Sequence, residues 1–177
     1  LASSIIFILM GCNQQKNNDL WPAIKPLPLS IDIESKIDEM LPKLTLEQKV
    51  GQVIQGDSDS VTPEEVKEYR LGSVLSGGNL APGPLPYAET KNWLEMADKY
   101  YNASIDNEGV EIAIPIIWGI DAVHGHANLK GAIIFPHNIG LGAMNNPDLI
   151  EQIAGVTAHE LTISGHCLLY TSDAADE

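Results

Sequence analysis

Positive charge is scarce in this chain of 177 residues, where 10 Lys and Arg face 24 Asp and Glu for a formal net charge of -14. Binding to nucleic acid needs clustered cations that displace counterions from phosphate. No such cluster occurs, so nucleic acid is excluded as an expected partner. Cysteine is almost absent as well. Cys12 and Cys167 are the two present, and neither lies in a CxxC or Cys/His ligand spacing, which leaves a zinc ribbon or disulfide framework without support. Charged residues make up only 19% of the chain, below the usual quarter, which argues against a disordered or coiled-coil protein. What the chain has instead is 44% hydrophobic residues with 15 Gly and 11 Pro. That composition suits an enzyme with many buried strands and tight turns, and it supplies one modest core or part of a larger one.

The two ends read as lying outside the fold. Residues 1–11 form an apolar run that is too short to span a bilayer as a helix and matches the h-region of a signal peptide. Leu9-Met10-Gly11-Cys12 resembles a bacterial lipobox, whose cysteine is lipidated and becomes the mature N-terminus, although Met10 stands where a smaller residue is usual. A plain signal peptide with a chance cysteine is the alternative. Asn13 to Asp19 is polar, and the stretch from Trp21-Pro22 to Pro28 is proline-rich, so this region forms neither helix nor central strand and reads as an extended tether. At the other end, Leu168 to Glu177 continues neither strand nor helix periodicity and has the look of translated adaptor or vector sequence. The expected organisation is a signal peptide at 1–12, a tether at 13–30, a folded segment at 31–166 and a non-native tail at 167–177.

The folded segment alternates helix and strand signals. Ile33, Ile37, Leu41 and Leu44 recur at near-helical spacing, with Pro42 ending or kinking the first helix. Thr45 and Gln48 form a capping box before Val50, Val53 and Ile54. Thr62-Pro63-Glu64-Glu65 is a second helix start: a capping hydroxyl, proline at the first helical position, and acids at the positive helix end. Gly72 to Gly78 reads as a short buried strand ending in a glycine turn. From about Tyr87 to Ile105 the residues Trp93, Met96, Ala97, Tyr100 and Ile105 mark another helix. Ile112 to Ile120 is a strand apolar enough for a parallel sheet covered on both faces. Asn146-Pro147-Asp148 opens a last helix with Ile150, Ile153, Ala154, Thr157 and Leu161 on one face, stopping at Gly165. This is an α/β pattern, and with right-handed crossovers it fits the first few units of an incomplete (β/α)8 TIM-like barrel.

In such barrels functional groups stand at the carboxyl ends of strands. Asp121 follows the Ile112–Ile120 strand directly, with His124 and His126 in the next loop. A carboxylate there can accept charge-assisted hydrogen bonds from two neighbouring sugar hydroxyls. It also suits a turn cap.

Trp118-Gly-Ile-Asp121-Ala-Val-His124-Gly-His126, followed by Phe135-Pro-His-Asn-Ile-Gly-Leu-Gly-Ala143, resembles the start of the family 3 glycoside hydrolases. The match is best to the branch of β-glucosidases and exo-acting β-glucanases. Gly72 to Asn79 and Leu44 to Gln52 resemble that family's first strand and the helix before it, so the likeness covers roughly residues 31–166. The resemblance implies retaining hydrolysis of terminal non-reducing β-D-glucosyl residues, without metal or organic cofactor, on β-glucan, cello- or laminari-oligosaccharides, or aryl glucosides. It implies that Asp121 binds the terminal glucosyl unit. The nucleophile, the acid/base and further sugar-holding residues are implied to lie beyond residue 166, so that no catalytic residue falls within this chain and the chain alone is inactive. The N-terminal segment, read separately from this resemblance, implies export to the periplasm or outer membrane of a bacterium, with a lipidated Cys12 as membrane tether.

His124 and His126 are read as loop support or substrate contacts. Their His-x-His spacing also admits a metal-dependent barrel hydrolase. A glucan-binding lipoprotein without catalysis is a third possibility. His137 is expected to support the same loop, and His159 to be solvated or packed on its helix. Trp93 and Trp118 are expected in the core.

Overall fold

The computed structural model describes residues 28–78 and 80–169. Cys12 with the signal-peptide segment, nearly all of the tether, and the tail from residue 170 onward lie outside the described residues. The described chain runs α1 (Ile31–Met40), a 3-10 turn at Leu41–Lys43, α2 (Leu46–Gln52), β1 (Gln55–Asp57), α3 (Pro63–Tyr69), β2 (Ser73–Ser76), α4 (Thr90–Ile105), β3 (Ile117–Ile120), α5 (Asn138–Ala143), α6 (Pro147–Ile163) and β4 (Leu168–Leu169).

Local chemistry sets most of these boundaries. Pro42 sits in the 3-10 turn that ends α1. The Thr45 hydroxyl accepts from the Gln48 N–H while the Gln48 side chain accepts from the Thr45 N–H, closing the expected capping box on α2. A second box, Thr62 with Glu65, starts α3 behind Pro63. Asn146 caps α6 by accepting from the Leu149 N–H.

The four strands are all parallel and lie in sequence order, β1-β2-β3-β4. A doubly wound sheet would reverse its strand order partway. Unreversed order is that of a barrel arc, and the fold is therefore α/β with the opening strands of a (β/α) barrel. Alternation along the strands divides the two faces. Val74 and Trp118 are register partners on the helix-covered face, where they pack with Val66 of α3, Trp93 and Tyr100 of α4, and Leu161 of α6. Ile117, one residue out of phase with Trp118, is half exposed on the other face.

Four features depart from the sequence expectations. The Ile112–Ile120 strand shrinks to β3, because Pro115 offers no N–H and the Ile116 N–H donates to the Ser104 hydroxyl instead of a neighbouring strand. β1 carries the polar sequence Gln55-Gly56-Asp57, which gives no strand signal, and forms through its register with Ser73, Val74 and Leu75. Leu168-Leu169, expected to continue neither helix nor strand, pairs with Gly119 and Ile120 as β4, since β3 otherwise leaves a row of unpaired backbone groups. The helix begun by the Thr45 capping box, expected to run through Val50, Val53 and Ile54, ends at Gln52, and these three residues are exposed, as are Ile33 and Ile37 of α1.

Candidate functional site

β2 and β3 pair with Ser76 opposite Ile120, so the residues after both strands leave the same edge of the sheet. Gly77-Gly78 follows β2 and Asp121 follows β3. The Gly78 N–H donates to Asp121 Oδ1 at 3.1 Å, across 43 residues of sequence. Gly78 adopts a φ of 60°, which aims its N–H in a way glycine tolerates without strain. Among the described residues no donor is paired with Asp121 Oδ2. One carboxylate oxygen is thus fixed by the protein and the other is open to a ligand.

Asp121 lines a cleft of about 360 Å³ together with Gly78, Tyr87, His124, Gly125 and Asn128. Two loops build it, one between β2 and α4 and the other after β3. They are tied together by backbone hydrogen bonds from the Ala88 N–H to Asn128 O and from the Lys130 N–H to Ala88 O, both 2.9 Å. The Asn128 side chain adds a bond to Pro86 O at 2.8 Å, and Trp93 Nε1 donates to Asn128 O at 3.2 Å. A larger groove of about 1120 Å³ runs along α2 and α3, but it is lined largely by apolar surface and contains none of the residues at the carboxyl edge of the sheet. Parallel-sheet enzymes place their ligands at that edge, which favours the smaller cleft.

The two loop histidines part company. His124 Nδ1 lies 3.1 Å from Phe135 O, and the Phe135 N–H donates back to His124 O at 2.8 Å. A carbonyl only accepts, so Nδ1 is the donor and Nε2 remains an acceptor in the neutral ring. The His137 ring packs edge-on against it at 5.4 Å, while its own Nδ1 caps α5 by accepting from the Ile139 N–H. His126, read with His124 as loop support or a substrate contact, is fully buried under the loop, a position that suits loop support and offers no surface to a substrate. Its Nε2 lies 2.9 Å from Ser164 Oγ, and its ring packs against Trp93 and His166 at 5.2 Å. Burial pushes the His126 imidazole down to about 4. Gly125 between them produces this divergence by turning the chain at a φ of 75°.

Gly125 also has no room for a side chain. A Cβ there would stand 2.7 Å from Ile133 O and 2.9 Å from the Phe135 ring. Strained φ and backbone collision act together, so Gly125→Ala is expected to cost about 2 kcal/mol or more. The check is a lowered thermal midpoint accompanied by loss of ligand binding in the cleft.

Trp93 and Trp118 are core residues, as expected, with Trp118 Nε1 donating to Ser76 Oγ at 2.9 Å. His159 is exposed on α6. His124 and His126 do not converge on a common point, and among the described residues no group of three or more His, Cys, Asp or Glu gathers where it could hold a metal ion. Sequence reasoning missed His166, which is buried against both tryptophans. It also missed Tyr87 as a wall of the cleft. A histidine after a helix-stop glycine and a tyrosine at a loop end carry no distinctive spacing.

Residues 45–168 match the family model described as the glycosyl hydrolase family 3 N terminal domain. Lysosomal beta glucosidase from Dictyostelium discoideum is 31% identical over 144 residues, which is 73% of this chain and 17% of that protein. Exo-1,3/1,4-beta-glucanase from a Pseudoalteromonas species is 44% identical and superposes with a TM-score of 0.75 over 81% of this chain and 18% of its own. A point mutant of the same enzyme gives a TM-score of 0.74 at the same identity, with 23% of its chain covered. The chain therefore spans less than a quarter of the length of these relatives.

Proposed function

Because the chain belongs to glycosyl hydrolase family 3, we propose that its intact gene product hydrolyses terminal, non-reducing β-D-glucosyl residues with retention of configuration. Within this chain Asp121 holds the glucosyl unit through its hydroxyls. The observation that carries this role is the Asp121 carboxylate itself, half fixed by the Gly78 N–H and half open in a cleft at the carboxyl edge of the sheet.

Retaining glycosidases need two carboxyl groups about 5–5.5 Å apart, one as nucleophile and one as acid/base. Among the described residues lining the cleft, Asp121 is the only carboxylate. A single carboxylate can orient a sugar but cannot fill both roles, and, following the family resemblance, the reacting pair is assigned to sequence beyond residue 166. Substrates of the matching chemistry are β-glucans, cello- or laminari-oligosaccharides and aryl glucosides. Export and a lipidated Cys12 belong to the same proposal and rest on the sequence of residues 1–12.

Following an aryl β-glucoside by proton NMR tests the reaction. The first sugar released by the gene product is expected to be the β-anomer of glucose. An α-anomer released first would contradict retention, and binding without turnover would point to a non-catalytic glucan-binding protein.

A further inference from the structure

Tyr87 closes the part of the cleft wall supplied by the loop between β2 and α4. It is 46% exposed, whereas its neighbour Ala88 is 7% exposed. Ala88 is the residue stitched on both sides to Asn128 and Lys130, and Pro86 just before it accepts from the Asn128 side chain. Lys130 and Glu89 add an ion pair at the same seam. Pro82, Pro84 and Pro86 fix φ along the approach to Tyr87 and reduce the freedom the loop would lose on binding. A half-exposed aromatic side chain is therefore carried on a backbone anchored from both sides, beside an open carboxylate oxygen. Ligand pockets combine aromatic walls with a few placed polar groups in this way. A pyranose fits the pair, since its rim of hydroxyls suits a carboxylate and its C–H face suits the apolar face of a ring.

We propose that Tyr87 contacts the bound glucosyl unit, packing its ring on the sugar's C–H face while Asp121 binds hydroxyls at the rim. The inference rests on the cleft being the glucosyl site. The contact is made with the ring, and the phenolic hydroxyl is not required. It exists before and during reaction alike, so it contributes to binding more than to turnover.

The test compares Tyr87→Ala, Tyr87→Phe and Asp121→Asn in the intact gene product, reading kcat and KM on an aryl β-glucoside and competitive inhibition by D-glucose. Tyr87→Ala is expected to raise both KM and the glucose inhibition constant about tenfold, equivalent to about 1.4 kcal/mol, with kcat changed by less than about threefold. Tyr87→Phe should stay within about twofold of the parent. Should Tyr87→Ala fail to fold, Tyr87→Leu keeps bulk without an aromatic face and is read the same way. An unchanged inhibition constant in the aliphatic variant overturns the contact, and an equal loss in Tyr87→Phe overturns the stacking. If Asp121→Asn leaves glucose inhibition unchanged, the glucosyl site itself falls. If Asp121→Asn weakens it and the aliphatic Tyr87 variant does not, only the role of Tyr87 falls.

Discussion

Asp121→Asn in the intact gene product is expected to lower kcat/KM on an aryl β-glucoside by about 100-fold or more, with the thermal midpoint almost unchanged. The amide oxygen of asparagine can still accept from the Gly78 N–H, so the bond joining the loops after β2 and β3 survives. What changes is the other side of the group. Asn presents an N–H₂ donor where Asp presents Oδ2, and it carries no charge. Hydrogen bonds to charged groups contribute about 1.5–3 kcal/mol each, and losing two of them corresponds to roughly the stated factor. Steady-state kinetics and a melting curve on the same preparations check both halves. A kcat/KM within threefold of the parent would remove Asp121 from the site.

Stability is expected to fall steeply on acidification below pH 6.5, because of the buried pair beneath the site loop. His126 and His166 pack at 5.2 Å, and both lie within hydrogen-bond distance of the Ser164 hydroxyl. His126 Nδ1 and His166 Nε2 are buried without a partner among the described residues. A protonated imidazole donates from both nitrogens, so protonation of either ring would bury a donor with no acceptor. Burial lowers His126 to about 4, while burial and then the charge of His126 lower His166 to about 3, against an ordinary value of 6.5.

Both folded values are depressed, so between pH 6.5 and about 4 the unfolded chain binds the more protons. Stability is full above 6.5 and declines as pH falls, by about 1.4 kcal/mol per pH unit for each imidazole that remains neutral in the fold. Urea unfolding between pH 7.5 and 4.5 measures the decline. His166→Leu should reduce the slope by about one proton's worth whatever it does to stability at pH 7.5. An unaltered slope in that variant would contradict the assignment to this pair.

Much of this architecture is written locally. Thr45 with Gln48, Thr62-Pro63 with Glu65, and Asn146-Pro147 each mark a helix start through short-range hydrogen bonds that sequence spacing reveals directly. Asp121 was legible for a similar reason, since a polar residue directly after an apolar run falls at the carboxyl edge of a parallel strand. The features that were not legible depend on partners distant in the chain. β1 is polar and exists through its pairing with β2, and β4 exists through its pairing with β3. The division between His124 and His126 is set by Gly125, whose left-handed turn sends one ring to the cleft and the other to Ser164. A two-residue spacing alone does not distinguish that outcome from two imidazoles sharing one face.

A crystal structure of the gene product with D-glucose bound tests the central claim most directly. The account predicts glucose in the cleft between the loops after β2 and β3, with the Asp121 carboxylate about 2.7 Å from two of its hydroxyls. Glucose bound elsewhere, with Asp121 contacting only Gly78, would contradict it.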